Sequence, residues 1–455
     1  MVSSLRRCSL WVINLYHRIN AWFAALVTRH APNKNIAVLD GVRAVACVAV
    51  IIFHINLLTY RLHLWSADTI GPFTSSLALA GDSGVTLFFI LSGFLLFLPY
   101  ARSLVLGSDW PSARRFYLRR AFRIIPGYYA CLFLLILLTH REYLHRDHLK
   151  QLGLFLTFFM DSSPTTYRLI NGPFWTLAVE WQFYLLLPLL ALGMRPLVRR
   201  GGRYWRVTTL VLCLIGLMAC GVVTRYAGFF LTLHPGQSFG LPHSVLNIAI
   251  FFFYGTVGNG LHGKFLEDFA VGMLVSLCYV MAGSTTVKNS FHILLRRLSP
   301  WLWGLGLLWL VVMALWEWNQ LIPHTWAFLD PAFIQYNYLH ELGLSLGFGC
   351  CVVAVLFGSA ALQALFVWAP LRWIGLVSYS LYMWHLPFLS LLIFVVQPYI
   401  QQWNSAALYS LFWLWVLLII MPFVSLSFLI IEKPWMEMGE RWDIRRRKKA
   451  EIHRA

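Results

Sequence analysis

The sequence predicts an all-α polytopic membrane protein of about ten transmembrane helices with both termini cytoplasmic. Three observations predict it. The chain is 59% hydrophobic and 12% charged, where an average soluble domain is about 25% charged. Apolar runs of about 20 residues, the length that crosses a bilayer, recur ten times along the sequence. Lys and Arg outnumber Asp and Glu by 36 to 18, and they fall on alternate connections in a ratio of roughly four to one, the bias that marks cytoplasmic loops.

Taken in order, residues 1–37 form a basic amphipathic extension, with Arg6, Arg7, Arg18, Arg29 and Lys34 set among Trp11, Trp22 and Phe23. Such a segment lies on the inner membrane face, and it has neither the long apolar core nor the small-residue cleavage site of a signal peptide. The spans are expected near 38–58, 84–100, 124–140, 173–193, 207–224, 265–283, 301–318, 339–359, 376–396 and 406–431. Weaker apolar stretches near 151–160 and 245–257 read as half-buried or re-entrant pieces. Residues 38–435 then make one membrane domain, and 436–455 a basic cytoplasmic tail. In that tail Arg445, Arg446, Arg447, Lys448 and Lys449 either bind anionic lipid or fix topology.

The net charge of +18 is accounted for by these loops, so no nucleic-acid partner is expected. Eight cysteines without a Cys-x-x-Cys pair indicate neither a disulfide framework nor a zinc site. No internal repeat of the kind that builds secondary transporters is evident.

The chemistry concentrates where ionisable groups interrupt apolar helix. Arg43 and His54 are separated by ten residues whose only polar side chain is the Cys47 thiol. On a helix the eleven-residue offset turns the chain by about 1100° and advances it by about 16 Å, so both side chains share one face at different depths. Ionisable groups in a membrane helix usually face the protein interior and mark function. His54 is either a general base, neutral and able to take a hydroxyl proton, or a histidine hydrogen-bonded to a neighbouring helix.

Arg120 and Arg123, at i and i+3, project from one side of the third span. Paired guanidiniums suit phosphate oxygens such as the diphosphate and 3′-phosphate of coenzyme A; the alternative is a cluster that anchors the span, the reading that fits Arg114, Arg115 and Arg119. Glu180, several residues inside the fourth span, would orient His54, bind an acceptor, hold Arg43 or make a structural ion pair. His385 is a second catalytic or orienting imidazole, or a structural hydrogen bonder. Tyr379, Ser380 and Tyr382 read as packing support, and Asp40 as a supporting residue. Asp82 and Ser83 read as a helix cap or an acceptor contact. Trp65, His140, Tyr143, His145, His148 and Tyr167 are weak candidates for an acceptor wall. With only Glu142 and Asp147 beside the loop histidines, no metal site is expected.

Six stretches, in order, resemble the signatures of the acyltransferase-3 family, membrane enzymes that O-acylate, and sometimes N-acylate, carbohydrates and other acceptors. They are Leu39-Asp40-Gly41-Val42-Arg43 followed by His54, the run Gly84 to Leu96, Arg119 to Pro126, Phe174 to Tyr184, Ser378 to His385, and Ile431-Glu432-Lys433-Pro434. The resemblance covers residues 36 to 435 and implies a plasma-membrane O-acyltransferase. Its expected donor is acyl-CoA, acetyl-CoA above all, with no permanently bound cofactor; its acceptor is a hydroxyl of a carbohydrate, glycolipid or lipid. It assigns Arg43, Arg120 and Arg123 to the donor, with His54 and Glu180 beside Arg43 in the chemistry. Cys47 reads as a small buried residue more readily than as a covalent waystation. The competing class is a transporter or flippase in which Arg43, Glu180 and His385 line a proton or substrate path without covalent chemistry.

Overall fold

A computed structural model describes residues 17–30, 36–234, 263–283 and 288–452, with 236–237, 240, 242, 244–247, 250 and 254 between them. Ten helices are long and apolar enough to cross a membrane. They are α1 (Ala37–Arg61), α2 (Gly84–Leu106), α3 (Ala113–Thr139), α4 (Phe174–Val198), α5 (Arg203–Leu233), α6 (Leu266–Gly283), α7 (Lys288–Leu321), α8 (Tyr336–Phe357), α9 (Ser378–Val396) and α10 (Ser405–Trp442). Among the described residues there is no strand.

The periodicity that delimited the apolar runs also sets the helix cores, and the ends extend where polar residues continue the helix. Thus α7 begins at Lys288, well before its apolar part, because nothing between there and Pro300 breaks the pattern. The stretch near 151–160 is a short surface helix, Leu149–Leu156, followed by a tight turn at Met160–Ser162. Most of the stretch near 245–257 lies outside the described residues, as do 1–16, 31–35 and the side chains of Arg445 to Lys449.

The main apolar core joins α1, α2, α3, α4, α9 and α10, with Phe89, Phe97, Tyr128, Phe174 and Phe412 wholly enclosed. A smaller core knits α1 and α2 to α6 and α8. By contrast α5 and α7 carry rows of exposed leucine and tryptophan, the surface expected of helices that face lipid. In the N-terminal helix 17–30, Trp22 and Ile19 are exposed while Val27 joins the main core. His30 at its end meets Lys433, Nδ1 to Nζ 2.5 Å.

Two short helices between α8 and α9, Ala360–Val367 and Ala369–Leu376, fold back against the start of α1. The approach is backbone to backbone. A Cβ on Gly41 would stand 2.1 Å from the Phe366 carbonyl, and one on Gly375 would stand 1.8 Å from that of Asp40. Small residues permit such contact between helices in a membrane protein. In α10, π-helical turns at Val416–Ile420 and Phe428–Glu432 rotate the helix face, a device frequent near functional sites. The second turn leaves Glu432 buried.

The fit at Gly375 gives a direct test. Gly375→Ala must push the Ala369–Leu376 helix away from α1, so thermal unfolding of the detergent-solubilised protein is expected to show a loss of about 1–3 kcal/mol, the usual cost of overpacking. Gly216→Ala, where a Cβ meets nothing within 4 Å, is expected to leave stability unchanged.

Candidate active site

Asp40 lies in the first turn of α1, where a carboxylate also complements the helix dipole. It is 1% exposed. One oxygen faces Arg43 Nη1 at 3.8 Å, and the other accepts from Arg372 Nη2 at 3.3 Å. Arg372 comes from the folded-back helix Ala369–Leu376. A carboxylate in such a place is tolerated only when cations and hydrogen bonds compensate its lost hydration. The clasp thereby fixes the root of Arg43, whose guanidinium lines a cavity.

That cavity, about 760 Å³ including its open mouth, is formed by α1, α2, α3, α4 and α9. Arg43, Arg120 and Arg123 all line it, and Glu180 is the one carboxylate of its wall. Three guanidiniums against one carboxylate leave a net positive chamber. Tyr184 hydrogen-bonds both Arg120 and Glu180, and the Ser92 hydroxyl donates to Glu180. Glu180 is hydrogen-bonded to Ser92 and Tyr184 on the cavity wall, and His54 does not line that cavity.

Higher on α1, His54 meets His385 of α9 with Nδ1 to Nε2 at 3.2 Å. The hydrogen-bond partners assign the protons. His385 Nδ1 lies 3.1 Å from the Leu381 carbonyl, so it carries a hydrogen and leaves Nε2 as an acceptor. His54 Nδ1 lies 2.9 Å from the Val50 carbonyl and faces that acceptor nitrogen as well. Both neighbours of His54 Nδ1 are therefore acceptors, which holds the hydrogen on Nδ1 and leaves Nε2 with a free lone pair. The sequence brought both histidines forward separately; the structure pairs them.

The histidines do not line the arginine cavity. Between them stands Tyr382, whose ring lies 5.7 Å from His385 on one side and 5.7 Å from the cavity residue Phe88 on the other. Its hydroxyl is hydrogen-bonded to that of Thr176 at 2.9 Å. Tyr382 and Thr176 both line the cavity, and Tyr382 also contacts His385.

Tyr379 and Ser380 both tie α9 to neighbouring helices. The Tyr379 hydroxyl donates to the Ile124 carbonyl at 2.8 Å, tying α9 to α3 while the ring faces the cavity. Ser380 donates to Glu432. Asp82 departs from its expected cap role: the first turn of α2 has no side-chain cap. Asp82 instead hydrogen-bonds Glu317 and lies near Glu341, which accepts from Thr86 at 3.2 Å. Of the loop candidates, His140 bonds Glu142 at 3.1 Å and Tyr143 packs on Phe155, whereas Tyr167 packs toward Trp175 at the start of α4. Arg372 and Glu432 are not among the site residues that the sequence singles out. The partner of Arg372 is 332 residues away, so nothing local marks it.

These features define a polytopic all-α membrane protein with a cationic chamber and a histidine pair at two levels of one helix. The chain belongs to the acyltransferase-3 family, whose model, described as an acyltransferase domain, matches residues 36–432. It is similar to a Bacillus subtilis protein named only provisionally as the peptidoglycan O-acetyltransferase YrhL, 27% identical over 91% of this chain and 56% of that one. It is also similar to the peptidoglycan O-acetyltransferase OatA of Listeria monocytogenes, 23% identical over 90% of this chain and 57% of that one. The O-acetyltransferase OatA of Staphylococcus aureus is 23% identical over 88% of this chain and 57% of that one. The chain therefore spans a little over half the length of the curated relatives it matches. No solved structure matches it.

The proton assignment is open to measurement. In protein labelled at histidine with ¹⁵N, solid-state NMR near neutral pH is expected to show His54 as the Nδ1–H tautomer, and a dominant Nε2–H form would refute the pairing.

Proposed function

We propose that the protein is a membrane O-acyltransferase that takes acetyl from acetyl-CoA and delivers it to a hydroxyl of a carbohydrate acceptor in or beside the bacterial cell membrane. One observation carries this reading: a single helix presents Arg43 to a cationic chamber and, about 16 Å further on, a histidine with an unprotonated Nε2.

The chamber suits a polyanion. Arg120 and Arg123 would grip phosphate oxygens in the forked geometry that guanidinium favours, and Arg43 would offset further negative charge. The bias of Lys and Arg among the loops supports placing this end toward the cytoplasm, where acyl-CoA is made. The acyl arm would pass Tyr382 toward His54. There His54 Nε2 takes the acceptor hydroxyl proton as the oxygen attacks the thioester carbonyl. The tetrahedral intermediate collapses with cleavage of the carbon–sulfur bond, and the departing thiolate takes the proton from the imidazolium to leave free coenzyme A and the ester. His385, whose Nε2 accepts from His54 Nδ1–H, holds the imidazole in its productive tautomer and steadies the imidazolium. Similarity to proteins named as peptidoglycan O-acetyltransferases supports a saccharide hydroxyl as the acceptor.

Reconstituted protein given labelled acetyl-CoA and membrane glycan fractions is expected to transfer label to the glycan. His54→Gln should lower that rate by about 10²-fold or more, the usual contribution of a general base, with acetyl-CoA binding retained. Arg120→Gln and Arg123→Gln should each weaken acetyl-CoA binding by about tenfold or more, as loss of a charge-assisted hydrogen bond requires. Transfer by His54→Gln at the wild-type rate would remove His54 from the chemistry, and saccharide flux without label transfer would favour a carrier.

A further inference from the structure

At the end of the bundle remote from Arg120 and Arg123, residues 163–172 form a loop laid over α9. Thr166, fully buried, donates to the Met160 carbonyl at 2.8 Å. Asn171 Nδ2 donates to the Met383 carbonyl at 2.8 Å, and Gly172 lies against Leu386. The loop therefore grips α9 on both sides of His385. Within it Arg168 adopts the left-handed backbone region, φ 60°, which a branched or long side chain rarely occupies without a compensating purpose.

That conformation sets the guanidinium beside two aromatic rings. The Arg168 guanidinium carbon lies 5.1 Å from the Tyr167 ring centroid and 5.7 Å from that of Trp175. Trp175 precedes Thr176, the partner of Tyr382, and Tyr382 packs on His385. Arg168 is thus linked to the histidine pair through Trp175, its chain neighbour Thr176 and Tyr382. The residue is exposed, hydrogen-bonds the Tyr167 side chain and forms no ion pair among the described residues. A guanidinium has five N–H donors, so one bond to Tyr167 and contact with two rings leave donors for a planar or tetrahedral anion.

We propose that Arg168 is a substrate-binding residue whose guanidinium takes a carboxylate or phosphate carried by the acceptor saccharide, setting a nearby hydroxyl toward His54. The role as acceptor residue rests on the acyl-transfer reading above; the anion site itself does not. Arg168 would make the enzyme selective for acidic over neutral glycans, a choice that neither the chamber nor the histidine pair provides.

The test is equilibrium binding to the full chain in nanodiscs, using a disaccharide with one carboxylate, its methyl ester, and the same disaccharide with a phosphate monoester. Wild type is expected to bind at least one anionic form about tenfold or more tighter than the ester, the size of one charge-assisted hydrogen bond. The carboxylate and phosphate arms identify which anion is used. Arg168→Gln should bind all three alike while binding acetyl-CoA as wild type does, which separates loss of the anion contact from loss of fold. Arg168→Lys, which keeps the charge without the guanidinium, should retain a reduced preference, and this comparison stands even if the glutamine variant fails to fold. Equal binding of ester and acids by wild type, or an anion preference that survives Arg168→Gln, would overturn the proposal. Label transfer measured on the same samples reports separately on the acyl-transfer reading.

Discussion

The buried Asp40 carboxylate, held between Arg43 and Arg372, is the constraint on which the rest of the arrangement depends. Removing a carboxylate from water without partners costs several kcal/mol, so α1 can begin where it does only if Arg372 arrives from the folded-back segment. The glycines at 41 and 375 allow that arrival by letting backbone meet backbone. Because Asp40 and Arg43 are a turn apart, anchoring the first fixes the direction of the second. The same clasp that closes the fold thus points a cation into the chamber.

From that anchor, α1 divides the chemistry by depth. The lower level collects positive charge from two helices, α1 and α3, and suits phosphates; the upper level pairs two imidazoles whose carbonyl partners lie one turn back on their own helices. Local backbone acceptors therefore set the tautomers, and packing of α9 on α1 brings the rings together. Tyr382 lines the cavity and contacts His385, so it touches both levels.

Much of this was legible in the sequence because the bilayer imposes simple rules. Apolar length located all ten spans, and the cost of charge in lipid singled out Arg43, His54, Glu180 and His385. The i,i+3 spacing placed Arg120 and Arg123 on one side, and the structure has both lining one cavity. What escaped were partnerships across hundreds of residues. Arg372 looked like a loop charge, and Glu432, quoted within a motif, gave no sign that a π-helical turn would bury it beside Ser380. Asp82 was misread because a residue before a helix is ordinarily a cap, whereas here it faces carboxylates from α7 and α8. Glu180 had several open roles, and only the positions of Ser92 and Tyr184 placed it with the arginines.

The central claim is that one ligand spans both levels of α1, with its phosphates at the arginines and its acyl carbon at His54. A cryo-electron microscopy structure of the full chain with a non-hydrolysable acetyl-CoA analogue tests it most directly. The account predicts diphosphate density beside Arg120 and Arg123, with the acyl group beyond Tyr382 and within contact of His54 Nε2. An analogue bound elsewhere on the bundle, or one whose acyl group turns away from the histidine pair, would contradict it.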